Sequence, residues 1–152
     1  FGTVELIGLR STRIRTLART VVTIPNGRLA DMRVESFTLR DRIWLSLTIG
    51  LVYGTSLAQM KQVLEGIETV LKDHPKIWAE DIFVRFSGFG DSSLDIQVMA
   101  WFSTTKYEEF MAIRQDVLLD FMRVVEEAGT SMAFPTRTLH LVSEKEKDKE
   151  KK

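Results

Sequence analysis

Apolar and polar residues alternate with a period close to two in three stretches near the start of the chain. These are Val4-Glu5-Leu6-Ile7, Thr12-Arg13-Ile14-Arg15-Thr16-Leu17 and Val21-Val22-Thr23-Ile24. The period predicts short, half-buried strands of a twisted antiparallel sheet over residues 3–9, 11–17 and 21–24. Ala18-Arg19 falls where a two-residue hairpin turn belongs, although such turns favour Asn-Gly or Asp-Gly at positive φ. Pro25-Asn26-Gly27 breaks the third strand. Asn26 and Gly27 tolerate left-handed backbone, and a short helical turn over residues 28–30 is expected to follow. Residues 32–38 are a fourth strand candidate, and residues 39–42, with three charges, read as a connector.

Beyond the connector the order is strand, helix, strand, strand, helix. Residues 43–51 are rich in β-branched and aromatic side chains. Ser56 and Gln59 have capping-box spacing, and Leu57, Met60, Val63, Leu64, Ile67, Val70 and Leu71 then recur as one helical stripe ended by His74-Pro75. Strands over 82–87 and 93–102 flank a hairpin at residues 88–92. Thr105 and Glu108 have the spacing of a second capping box. The stripe that follows is Tyr107, Phe110, Met111, Val117, Leu118, Phe121, Val124 and Val125, with Gly129 where a C-cap glycine belongs. Helices between strands, with the middle strands joined directly, predict a ferredoxin-like, split βαβ, α+β unit whose last strand would come from residues 130–134. Residues 136–142 form a final extended stretch with no evident partner in its own unit, and from Glu144 the chain holds only Glu, Lys and Asp, a solvated tail.

Composition adds three constraints. The 152 residues, 44% hydrophobic and 28% charged, suit one respectable core or two small ones. Zero cysteines exclude a disulfide framework and a Cys-based zinc site. The longest apolar run, residues 43–53, is about half a membrane span, so no segment is predicted to cross a bilayer as a helix. The chain opens on Phe1 with a strand at once, and reads as a fragment of a longer protein. Its net charge of zero hides an asymmetry: residues 1–42 carry +4 with arginine as the sole base, residues 43–143 carry −5, and the tail adds +1. Two units with different surroundings are expected.

Candidate chemistry is sparse. His74 and His140 sit in no metal-binding spacing. Ser92-Ser93 lacks a nucleophile-elbow context. Glu108-Glu109 and Glu126-Glu127 read as solvated charge, and Gly88-x-Gly90 lacks the third glycine of a phosphate cradle. No enzyme and no cofactor are expected. Arg10, Arg13, Arg15, Arg19 and Arg28 could meet phosphate, yet no aromatic residue interleaves with them between Thr3 and Arg33. A solvent-facing strand side or a subunit contact is therefore preferred to nucleic acid.

These residues also carry a resemblance. Gly2-Thr3-Val4-Glu5, the Arg10-to-Thr16 strand and Val22-Thr23-Ile24-Pro25-Asn26-Gly27-Arg28-Leu29 resemble the β domain of the small-conductance mechanosensitive channel (MscS-like) family. Gly50-Leu51-Val52-Tyr53, Phe89-Gly90-Asp91-Ser92-Ser93, Val98-to-Phe102 and Phe134-Pro135-Thr136-Arg137-Thr138-Leu139-His140-Leu141 continue the match in order. The chain departs from the family's usual pattern at Ala18-Arg19, where an Asp-Gly-like pair is common, and at Glu35-Ser36-Phe37, where Asn-x-Ser is.

The resemblance implies a small Sm-like β domain (1–38, its opening strand before Phe1), a ferredoxin-like α+β domain (39–135), a C-terminal strand (136–143) and a charged tail (144–152). It implies the cytoplasmic portion of a tension-gated channel subunit, held at the inner membrane by helices before Phe1. Seven copies would form a ring and hollow cage that pass ions and small solutes on osmotic downshock. Arg13, Arg15, Pro25, Asn26, Phe89, Asp91, Ser92, Pro135, Thr138 and Leu141 are the family-motif and subunit-contact candidates. The acidic second unit, through Asp91, Asp95, Glu108 and Glu109, is expected to bias which ions accumulate. An Sm-like RNA-binding ring and a purely structural oligomerisation module are the alternatives.

Overall fold

The structure, a computed structural model, describes residues 1–136. They form two compact units that part between Arg40 and Asp41.

The first unit is a three-stranded antiparallel sheet in the order β1-β2-β3, with β1 over Gly2–Ile7, β2 over Ser11–Thr16 and β3 over Val21–Pro25. The three alternating stretches thus do form strands. The β2–β3 turn differs from the expected two-residue hairpin. Thr16 and Thr20 pair through backbone and through their hydroxyls (2.7 Å), leaving a three-residue loop, 17–19. Its last residue, Arg19, takes φ 66°, the left-handed position such loops require. A non-glycine there costs about 1–2 kcal/mol, and the Arg15 guanidinium offsets part of it by donating to the Arg19 carbonyl at 2.9 Å.

Asn26 and Gly27 are not left-handed. They open α1, a short helix over Asn26–Ala30. The fourth strand expected over residues 32–38 does not form: this stretch finds no ladder partner among the described residues, Met32 and Val34 stay exposed, and Phe37–Leu39 closes into a 3-10 turn. Alternation alone makes no strand without a neighbour to complete its hydrogen bonds.

The second unit is an α+β fold of β4 (Ile43–Leu51), α2 (Leu57–Asp73), β5 (Phe83–Phe89), β6 (Leu94–Phe102) and α3 (Tyr107–Glu127). The sheet order is β4-β6-β5, with β6 antiparallel to both neighbours, so β4 and β5 run parallel with β6 between them. That is the split βαβ arrangement. One sheet face is covered by the helices, and Leu51, Ile96, Val98, Phe102, Val63, Ile67, Val117 and Phe121 are buried there. On the open face Trp44 and Trp101 stack across β4 and β6 at 6.0 Å.

The helix ends follow local chemistry. Ser56 and Gln59 form the expected capping box, and the Gln59 amide also donates to the Gly129 carbonyl at 2.7 Å. At α3 the Thr105–Glu108 box does not form. The helix opens after Lys106, and Thr104 instead accepts from the Lys106 amide and donates to Glu109. Gly129, at φ +71°, ends α3 with paired bonds from Gly129 to Glu126 and from Thr130 to Val125. Residues 130–134 do not make a full fourth strand. They touch the end of β4 through a Leu51–Met132 bridge and two flanking backbone bonds.

Candidate functional site

The residues singled out in the sequence gather at two places, one in each unit. In the first, β3 delivers Pro25 opposite Ser11, and Pro25 gives way to Asn26 at the start of α1. The Asn26 amide nitrogen donates to the Gly8 carbonyl at 2.8 Å, and its oxygen accepts from the buried Thr12 hydroxyl at 2.8 Å. Its backbone N–H donates to the Arg10 carbonyl at 2.9 Å. One side chain therefore ties the β1–β2 turn to the end of β3. The sequence marked Asn26 as a strand breaker; the turn it clasps was missed.

Arg13 and Arg15 both lie on β2. Arg13 is exposed, whereas Arg15 is held by Glu5, the residue at the bulge of β1. The hydrogen bond and charge of Glu5 raise the Arg15 pKa still further above the physiological range. A guanidinium already engaged by a carboxylate and a carbonyl is a poor phosphate ligand, which weakens the RNA reading.

The second place is an open cleft of about 910 Å³ at the β5–β6 hairpin. Asp91 and Ser92 from the hairpin tip, Thr48 from β4 and Pro135 beyond α3 line it. The hairpin loop spans residues 90–93, shifted from the expected 88–92 because β5 continues to Phe89. Gly90 donates to the Ser93 carbonyl at 2.7 Å, and the Ser93 hydroxyl donates to Asp95 at 2.6 Å. A Cβ on Gly90 would fall 2.6 Å from the Ser93 hydroxyl and 2.9 Å from the Asp95 carboxylate, so a side chain there would push the Ser93–Asp95 pair aside.

Phe89, the last residue of β5, is not among the described residues that line the cleft; it packs edge-on against Phe86 at 5.2 Å. Thr138 and Leu141 lie outside the described residues. Asp91, Ser92 and Pro135 are thus brought together, while Pro25 and Asn26 serve the other unit.

Two residues that meet the hairpin, Gly50 and Tyr53, stood in the sequence as part of the family match but not among the site candidates. The Tyr53 hydroxyl donates to the Gly90 carbonyl at 2.7 Å, and a Cβ on Gly50 would stand 2.9 Å from that of Ser93. The available signal was Gly50 itself, since a glycine inside a strand marks close approach.

The cleft offers carboxylates and hydroxyls, with no lysine, arginine or histidine among the described residues that line it. No group of three or more His, Asp or Glu suited to a metal occurs among the described residues. Away from the cleft, in the first turn of α3, Glu109 is held below the usual carboxylate range, first by the Thr104 hydroxyl at 2.5 Å and then by Lys76 at 3.1 Å. Among the described residues no helix is long and apolar enough to cross a membrane.

Residues 45–132 match the family described as "Mechanosensitive ion channel MscS, C-terminal", and residues 1–55 match "Mechanosensitive ion channel, beta-domain". The chain belongs to the MscS family. An uncharacterized MscS family protein of Aquifex aeolicus is 42% identical over 141 residues, covering 92% of this chain and 38% of that protein. The small-conductance mechanosensitive channel MscMJ of Methanocaldococcus jannaschii is 37% identical over 140 residues, covering 92% of this chain and 40% of the relative. The chain thus spans about two fifths of the length of these MscS relatives. The crystal structure of Helicobacter pylori MscS in a closed state shares the fold, with a TM-score of 0.77 at 18% identity over 94% of this chain and 55% of that one. Both family regions are channel regions, and neither speaks for RNA.

Proposed function

We propose that this chain is the cytoplasmic portion of a tension-gated MscS-type channel subunit at the inner membrane. The observation that carries the reading is the succession of the two MscS regions along residues 1–132. In this reading seven copies assemble, with residues 1–38 as a ring below the pore. Residues 39–135 form the wall of a cage, and 136–143 a closing strand at its base. Helices before Phe1 span the membrane, where tension shifts a closed–open equilibrium by acting on an area difference. Ions and small solutes pass through the cage on osmotic downshock. Pro25 and Asn26 lock the β1–β2 turn so that the ring presents a rigid support to the pore. Arg13, on the open side of β2, is a subunit-contact residue, and the Phe89–Ser92 hairpin belongs to the cage wall.

The test is patch-clamp recording of the full-length product in membrane free of other such channels, with suction applied in steps. Unitary currents that appear with pressure are expected. Silence at lytic tension, with the protein shown to be in the membrane, would overturn the reading.

A further inference from the structure

Two exposed features of the second unit lack partners among its described residues and complement each other. The first is the β5–β6 hairpin, where Phe89 is 75% exposed and rests on Phe86 as a projecting knob. Beside it Asp91 is exposed, with no hydrogen bond or ion pair to any described residue. The second is an apolar groove of about 390 Å³ along α3, lined by Met111, Leu118, Leu119 and Met122. Leu119 is 56% and Met122 49% exposed, well above what a core stripe shows. Arg114 borders this groove and is likewise unpaired among the described residues. An aromatic knob beside a free carboxylate thus has its counterpart in a methionine-lined groove beside a free guanidinium.

The two features lie on opposite flanks of the unit. β5 is the outer strand of the order β4-β6-β5, and α2 packs on it. α3 returns the chain to β4, at the other side, through the Leu51–Met132 bridge. On α3, Val124 faces Gly66 of α2, and at 100° per residue Met111, Leu118 and Met122 fall on the flank turned away from Val124. Complementary patches on opposite flanks are what a head-to-tail contact needs, and such contacts generate rings when the rotation closes.

We infer that the Phe89 hairpin of one copy docks in the α3 groove of the next, with Asp91 of the first paired to Arg114 of the second. The inference rests on the channel reading, which supplies the neighbouring copy. It adds to that reading the surface, its polarity around the ring and the residues that set it.

The test uses full-length protein in membranes with no other cysteine. A Phe89→Cys/Leu119→Cys chain treated with a short bismaleimide is expected to give a ladder of linked chains beyond the dimer, whereas either single substitution gives none. Asp91→Arg should lower the linked fraction several-fold, and adding Arg114→Asp should restore it. A ring that still assembles and passes pressure-gated current, yet gives no ladder and no charge-swap rescue, would overturn this contact and leave the channel reading intact. Full-length protein that is monomeric would overturn both.

Discussion

Asn26 satisfies three groups from one position, and Thr12, its hydroxyl partner, is only 2% exposed. Asn26→Ala would leave that hydroxyl and the Gly8 carbonyl without their acceptor and donor, a loss of about 1–3 kcal/mol. Amide hydrogen exchange in β2 and β3 should therefore speed up by roughly tenfold to a hundredfold; unchanged rates would mean that water replaces the side chain at no cost. Glu109 supports a pH prediction. Its folded pKa is depressed, so the stability it contributes is complete above the usual carboxylate range and is lost as pH falls through the folded value. Denaturation midpoints of Glu109→Gln and the native chain should differ near neutrality and draw together as pH falls below the usual carboxylate range and through the depressed folded value, and a gap that does not narrow on acidification would refute the assignment. At this scale the sequence was partly legible. Proline followed by asparagine and glycine told where β3 stops, because proline removes a donor and fixes φ. It did not tell which carbonyls Asn26 would meet, since those come from a turn 16 to 18 residues earlier in the chain.

Elements were legible wherever their signal is local. The Ser56–Gln59 box, the stripe of α2 and the glycine after α3 all depend on residues within one or two turns; the box and the glycine stand in the structure, and the stripe holds from Met60 to Leu71, while Leu57 in the first turn is exposed. Residues 32–38 failed because a strand is defined by its neighbour, and Thr105–Glu108 failed because Thr104 took over the first turn of α3. What no periodicity shows is how closely two elements approach. Gly66 lets α2 meet α3: a Cβ there would lie 2.5 Å from a methyl of Val124, whose β-branched side chain has little freedom to yield. Gly66→Ala gains nearly 1 kcal/mol of helix propensity in isolation, but overpacking at such a contact costs about 1–3 kcal/mol. The single variant is expected to lower the denaturation midpoint, and Gly66→Ala/Val124→Ala to recover most of the loss. A single variant more stable than the native chain would show that the helices part freely.

Across the whole chain the ordered set of motifs was legible because it depends on residue identity and order, which need no geometry. The distribution of charge was legible too, +4 over residues 1–42 against −5 over residues 43–143, but not which carboxylates remain free to act on ions. Glu109 is tied to Thr104 and Lys76, and Glu68 to Lys72. Asp91, on the inference above, faces the neighbouring subunit. On the channel reading, Asp95, which lines the cleft, and the exposed Glu65 and Glu108 remain as candidates for the field that permeating ions would meet. Such a field reaches only about 10 Å at 0.1 M salt and about 3 Å at 1 M, so it favours cations where the passage is no wider than that. Neutralising Asp95, Glu108 and Glu65 together in the full-length channel should therefore move the reversal potential in a KCl gradient toward that of chloride. The shift should be largest near 0.1 M and fade near 1 M, because screening removes the field that the substitutions alter. A reversal potential unmoved at low salt would mean that the carboxylates of this unit lie off the ion path, and that ion preference is set elsewhere in the protein.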